Sequence, residues 1–383
     1  MTVLDRLDTP ACGCDARDML SGLLSMDEAL KRIDALARPV RETEALPLAA
    51  AHGRVLAEPV RAAEANPRFD NAAMDGYAIC SAALTGAPPW RLPVEGRVSA
   101  GDSPAALAAA DSAVRIFTGA PIPRGADAVV MQEHVRPAGD HILLGARPAP
   151  GSHIRKAGEE MQAGDAVLPA GRRLGSPDIA ALAAAGCAAP RLRRRIRAGL
   201  IVTGNEVAPE APAPGRIADV NGPMIAAELG RADVDLAGAF HAGDDPEALK
   251  DALRRLAGWA DLVITTGGVS VGDADLVKPA LAALGGQIAF EGVALKPGKP
   301  VSAGRLGNAL WLGLPGNPVS AFVTWRLFGA RLLARLSGDT AAAFRKEDVA
   351  LRETFDSAIA GMLADGSISA MADKWFQAGD GTE

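Results

Sequence analysis

From residue 198 to about 335 the sequence alternates strands with capped helices, and that alternation limits the fold more than any other feature. "AGLIVTG" is a buried-type strand, "NGPMIAAELG" a helix with Asn221 as cap, and "VDLAGAF" a strand. "DDPEALKDALRRLAG" is a helix with acids first and Gly258 last, "ADLVITTGG" a strand, and "ADLVKPALAALGG" a helix. "NALWLGLPGNPVSAFVTWRLFGARLLARL" reads as strand, turn and helix. Such alternation predicts a parallel sheet with helices on both faces, with ligands at the carboxyl ends of the strands.

Upstream the texture differs. Residues 1–20 read as a loose tail. Ser25 caps a helix carrying Glu28 three residues later, with Ala29, Leu30, Ile33 and Leu36 at helical spacing before Pro39. Residues 44–62 read as short strands with a turn at His52-Gly53. From about 66 to 150, proline, glycine and short alternating strands predict a small β domain. Residues 153–190 are mixed, with a helix opened by a Ser176 cap and Pro177. "RLRRRIR", 191–197, is either a solvated linker into a strand or a docking patch for an acidic partner.

The chain of 383 residues is long enough for two or three domains. Its net charge of −6 argues against a nucleic-acid coat protein. No apolar run reaches the length of a membrane span and no signal peptide is evident, so a cytoplasmic protein is expected. Cys12, Cys14, Cys80 and Cys187 suggest no disulfide framework, and the scattered histidines suggest no zinc or His-triad enzyme.

Four strand-end turns look chemical: Thr203-Gly204-Asn205-Glu206, Gly243-Asp244-Asp245-Pro246, Gly267 to Asp275, and Leu314 to Ser320. In the third, Gly267 and Gly268 let backbone approach a ligand, its N–H groups suit an anion, and Ser270 adds a hydroxyl. Asp273 and Asp275 suit a hard cation bridging to a phosphate, or else they cap a helix and complement its dipole. No Walker Gly-Lys-Ser/Thr and no Gly-x-Gly-x-x-Gly after the first strand is present, which weakens the usual ATPase and NAD readings. In Leu295-Lys296-Pro297-Gly298-Lys299-Pro300, two lysines on a proline-stiffened turn suit a small oxyanion, or are solvated surface lysines. In the β region, the turns around Asp75-Gly76 and Thr118-Gly119 could be ordinary turn chemistry.

Taken together, "FDNAAMDGYAI", "RIFTGAPIPRGADAVVMQE", "IRKAGEEMQAGD", "LIVTGNEV", "ITTGGVSVGDAD", "LKPGKP" and "LGLPGNPVSAFV" resemble, in order, the molybdopterin molybdenumtransferase family, the molybdenum insertases that include the E domain of gephyrin. The resemblance covers roughly residues 24 to 335. It implies an α/β plus β protein. An elongated domain (21–65 and 151–192) would carry an inserted β domain (66–150) and lead into a molybdopterin-nucleotide-binding α/β domain (193–335). The implied reaction transfers molybdate to the dithiolene of adenylylated molybdopterin, and AMP leaves with help from Mg²⁺. A homodimer is also implied, with the β region of one chain facing the α/β domain of the other. Further implied partners are the molybdopterin adenylyltransferase and acceptor molybdoenzymes.

By motif position, the resemblance puts Glu206, Asp245, Ser270, Asp273 and Asp275 on the nucleotide and Mg²⁺ side, with Asp245, Asp273 and Asp275 as metal ligands. Gly267 and Gly268 hold the phosphate side. Lys296, Lys299 and Pro300 form the oxyanion side, with Ser320 behind the rigid Pro315–Pro318 turn. Asp75, Thr118 and Glu160 come from the partner chain, Glu160 standing where many relatives have Asp. Fixed positive charge suits a tetrahedral dianion, and cleaving the phosphoanhydride needs charge neutralisation rather than a protein nucleophile.

Past residue 335 the sequence departs from that pattern. The family usually ends in a further β-rich subdomain, whereas 336–383 reads as a helical tail. Leu351, Phe355, Ile359 and Leu363 recur every four residues, and the piece resembles the final helices of periplasmic amino-acid-binding proteins. Two alternatives therefore stand beside the insertase: a non-catalytic molybdopterin-nucleotide-binding or scaffold protein, and a different Mg²⁺-dependent nucleotidyl or phosphate enzyme.

Overall fold

A computed structural model describes residues 23–103, 106–208, 214–268 and 275–340. The expected tail at 1–20, the Cys12/Cys14 pair, Ser270, Asp273 and nearly all of the helical tail expected for 336–383 lie outside the described residues.

Two six-stranded sheets organise the chain. The first uses β1 (Gly76–Ile79), β2 (Trp90–Val98), β3 (Ala113–Ile116), β4 (Ala128–Met131), β5 (Val135–Ala138) and β6 (His141–Leu144), in the order β4-β1-β3-β2-β6-β5. Its alternating residues feed two apolar clusters, one around Ile79, Leu92 and Ile142 and one around Ala78, Val114 and Ile116. It follows α1 (Met26–Leu36) in the chain and precedes α2 (Ser176–Ala184).

The second sheet holds β7 (Ile196–Val202), β8 (Val234–His241), β9 (Leu262–Thr266), β10 (Gln287–Glu291), β11 (Ser302–Leu306) and β12 (Ala309–Leu314), in the order β8-β7-β9-β12-β11-β10. Its helices are α3 (Asn221–Leu229), α4 (Pro246–Ala257), α5 (Val277–Ala283), α6 (Pro318–Thr324) and α7 (Ala330–Ser337), with a π-helical turn at Trp325–Gly329. All residues of β9 and β12 are buried, as strands covered on both faces require. Leu200, Ile264 and Leu312 point to the core shared with α1, α3 and α7. Ile201, Val263 and Trp311 point to the core under α4 and α5. Trp311 Nε1 donates to Thr265 Oγ1 at 3.1 Å, so a polar group buried with the ring is satisfied.

The sheet is mixed rather than wholly parallel. Strands β8, β7, β9 and β12 are parallel, whereas β11 runs antiparallel to β12 and β10 antiparallel to β11. Only Gly307 and Asn308 lie between β11 and β12, and Gly307 has φ 59°; a two-residue link can join only antiparallel strands.

Two expected caps also shift. Gly175 caps α2, and Asp178 accepts its N–H at 2.9 Å, so Ser176 is already helical. Val220 takes the cap position of α3, while Asp219 accepts the Gly222 N–H at 2.8 Å. Ser25 caps α1 as expected, accepting the Glu28 N–H at 3.2 Å.

Ion pairs join the upstream segments to this body. Asp34 of α1 accepts Arg331 Nε at 2.7 Å and Arg335 Nε at 2.9 Å, both on α7. Arg173 reaches Asp233 at 2.8 Å, Asp339 at 2.8 Å and the Gly53 carbonyl at 2.7 Å. Burial pushes the Asp233 carboxyl up, but Arg173 and Arg231 outweigh it and leave it below the usual range. The arginine run is largely taken up within the chain. Arg193 donates to the Val40 carbonyl at 2.9 Å, Arg194 forks onto Asp261 at 2.6 and 2.9 Å, and Arg197 lies 6.0 Å from the Trp259 ring centroid.

Candidate active site

The carboxyl ends of β7, β9 and β12 converge. Thr203 N and Oγ1 both donate to the Thr266 carbonyl, at 3.0 and 3.1 Å. Gly267 N donates to the Leu314 carbonyl at 3.1 Å. Gly267 has φ 84°, and a Cβ there would sit 2.8 Å from Thr203 Oγ1; a side chain would be both strained and crowded. At Gly316 a Cβ would lie 3.6 Å from Gly267 Cα, so the loop after β12 touches the loop after β9. Asn221 Nδ2 donates to the Gly316 carbonyl at 2.7 Å, fixing this loop from α3. The sequence suggested Asn221 as a cap; its side chain instead positions the Pro315–Pro318 turn. Beside them, Asn205 and Asp244 exchange hydrogen bonds at 3.1 Å each, tying the β7 and β8 loops.

The acids divide by partner. Asp275 Oδ2 pairs with Lys278 Nζ at 3.1 Å, while its buried Oδ1 has no hydrogen-bond partner among the described residues. Asp245 caps α4, its Oδ1 accepting the Glu247 and Ala248 N–H groups at 2.9 and 3.3 Å. Glu206 is exposed and folds back over Gly204, where a Cβ would meet its Oε2 at 2.6 Å. No group of three or more metal-type side chains assembles among the described residues.

The lysine turn packs on α6. A Cβ on Gly298, at φ 120°, would lie 2.6 Å from Thr324 Cγ2, so only glycine lets the turn come this close. Lys296 is exposed and Lys299 half-buried; the Pro300 carbonyl accepts Ser302 Oγ at 3.2 Å. Pro318 opens α6 behind the Asn317 cap. Ser320 is buried, and its N–H and hydroxyl both donate to Asn317 Oδ1, at 3.1 and 3.3 Å.

A second group gathers on the other sheet. Asp75 Oδ1 accepts both the Thr118 N–H and the Thr118 hydroxyl at 2.8 Å. The Thr118 backbone donor, then its hydroxyl, hold the Asp75 carboxyl below the usual range. Residues 71–72 pair with 154–155, and Ala72 exchanges hydrogen bonds with Gly119 and Ala120. Glu160 lies beyond the Asp75–Thr118 pair, accepting Asn66 Nδ2 at 2.9 Å and Arg155 Nη1 at 3.4 Å, with no hydrogen bond to Asp75 or Thr118 among the described residues. Asp70, in the same turn as Asp75, is held below the usual range first by Lys156 at 2.7 Å and then by the Ala157 N–H at 2.8 Å.

Two family models match the chain: the MoeA N-terminal region (domain I and II) over residues 24–186 and a probable molybdopterin binding domain over 199–335. A molybdopterin molybdenumtransferase of Haemophilus influenzae is 39% identical over 321 residues, spanning 82% of this chain and 78% of that protein. One from Nostoc sp. is 38% identical over 308 residues, spanning 78% and 70%. The chain belongs to the molybdopterin molybdenumtransferase family. The crystal structure of the molybdopterin biosynthesis MoeA protein from Pyrococcus horikoshii OT3 superposes with a TM-score of 0.70 at 32% identity, covering 82% of this chain and 80% of that one. The two sheets described above are thus arranged in the manner of a MoeA protein.

Proposed function

We propose that this chain is a transferase of molybdenum cofactor biosynthesis that inserts molybdate into adenylylated molybdopterin and releases AMP. The observation that carries this reading is the gathering of Thr203–Gly204, Gly267–Gly268 and Pro315–Gly316 at the carboxyl ends of β7, β9 and β12. Those strand ends are where an α/β sheet takes its ligand, and glycines there let backbone come close to one. Lys296 and Lys299, on a turn packed against α6, supply positive charge for the molybdate dianion. Glu206 and Asp275 belong to the nucleotide side.

Mg²⁺ suits this donor set. A buried carboxylate oxygen left unpartnered, Asp275 Oδ1, is the kind of hard donor it takes, and Asp245 and Asp273 complete the proposed ligands. When bound, the cation would neutralise charge on the departing phosphate. Asp275 is held for this by Lys278, and Asp245 by the first turn of α4.

Asp75, Thr118 and Glu160 act on the site of a second copy, so the working unit is a homodimer. Residues 66–150 form a β domain inserted in an elongated domain of 21–65 and 151–192. To test the reading, the purified chain is incubated with adenylylated molybdopterin, Mg²⁺ and molybdate. Reconstitution of a molybdenum-free apoenzyme is expected; nucleotide binding without reconstitution would leave only a binding protein.

A further inference from the structure

Tyr77, Arg115 and Arg97 are register neighbours on the first sheet. Tyr77 lies opposite Arg115 across the antiparallel β1–β3 pair, and Arg97 lies beside Arg115 across the parallel β2–β3 pair. Phe117 follows two residues after Arg115, which puts it on the same face. The Arg97 guanidinium carbon is 4.6 Å from the Phe117 ring centroid. That of Arg115 is 5.1 Å from the same centroid and 5.0 Å from that of Tyr77. Arg115 also donates to Gln132.

Two like charges side by side repel, and such a pair is usually relieved by a carboxylate. Here neither guanidinium has a carboxylate at ion-pair distance among the described residues. Asp75 bears on Arg115 only through its longer-range field, and its Oδ1 is already engaged by Thr118. The rings anchor both arginines, so less side-chain freedom remains for a ligand to remove. Two fixed, planar donor forks one strand spacing apart match the oxygens of a tetrahedral anion better than point charges would.

We propose that Arg97 and Arg115, steadied by Phe117 and Tyr77, form a clamp for a tetrahedral oxyanion. The clamp goes beyond the function proposed above, because it uses neither the lysine turn nor the glycine strand ends. The anion is either inorganic, as molybdate or sulfate, or the phosphoryl group of a nucleotide.

Binding of molybdate, sulfate and AMP to the full chain is measured by calorimetry, with Arg97→Gln, Arg115→Gln and Phe117→Leu as variants. A loss of about tenfold or more for molybdate and sulfate in both arginine variants, with AMP unchanged, supports the clamp and identifies an inorganic anion. The same loss for AMP supports it and identifies a phosphoryl group. Phe117→Leu keeps both charges and loses their anchor, and a several-fold loss is expected. Should Arg115→Gln fail to fold, Arg97→Gln decides, since Arg97 is exposed and its side chain, packed over the Phe117 ring, makes no hydrogen bond or ion pair among the described residues. Unchanged affinity for all three probes in Arg97→Gln and Phe117→Leu would overturn the clamp. These are binding measurements without turnover, so a failure of molybdenum insertion leaves them readable.

Discussion

Gly267 shows how single residues set this site. Its positive φ and the 2.8 Å approach of Thr203 Oγ1 to a notional Cβ leave room for hydrogen alone. Gly267→Ala is expected to cost about 1–3 kcal/mol, seen in thermal or urea unfolding, and to weaken AMP binding at least tenfold. An alanine variant with wild-type stability and AMP affinity would remove Gly267 from the phosphate side. Asp75 depends on donors 43 positions away in sequence. Thr118→Val removes the hydroxyl donor and keeps the backbone one, so the Asp75 pKa should rise toward the ordinary carboxylate value in an NMR titration. Its folded pKa is depressed, so the linked stabilisation is present above the unfolded pKa and fades as pH falls through the folded one. The types of these residues were legible in the sequence. Their contact was not, because nothing local tells Asp75 that Thr118 will lie beside it.

At the scale of elements, apolar runs announced β7, β9 and β12, since strands covered on both faces read as continuous hydrophobic segments, while β8, also legible as a strand, is the mostly exposed edge. The antiparallel edge departs from the strand–helix alternation because no helix separates β10, β11 and β12, and Gly307-Asn308 is its local hairpin signal. The α2 cap was misplaced by one residue for a related reason: glycine offers no side chain to notice, and Asp178 supplies the hydrogen bond from inside the helix. The α1–α7 contact was invisible, as Asp34 and its arginines are 297 and 301 positions apart. The hydrogen bond from Arg331, aided by Arg335, pulls the Asp34 carboxyl down to about 2. Its stabilisation is therefore full above the ordinary carboxylate pKa and lost as pH falls toward about 2. For so partly exposed a group Asp34→Asn should cost only about 1 kcal/mol at neutral pH, and the difference should vanish in unfolding experiments near pH 2.

For the whole molecule, Gly267, Asp275 and the lysine turn belong to the second six-stranded sheet and its loops, whereas Asp75 and Thr118 meet beside the first, and the proposed site would draw on both. If a homodimer joins one group to the other chain's partner group, two inactive variants should complement. Asp75→Asn and Asp275→Asn chains, mixed and allowed to exchange, are expected to recover up to about a quarter of wild-type activity through heterodimers with one intact site. Mixtures as inactive as their components would place each site within a single chain. The central claim is the insertion reaction itself, and it is tested most directly by AMP release from adenylylated molybdopterin in a single turnover with Mg²⁺, with and without molybdate. The predicted result is molybdate-dependent AMP release by the wild-type chain, reduced at least a hundredfold by Asp275→Asn with AMP still bound. Release that ignores molybdate, or persists unchanged in Asp275→Asn, would contradict it.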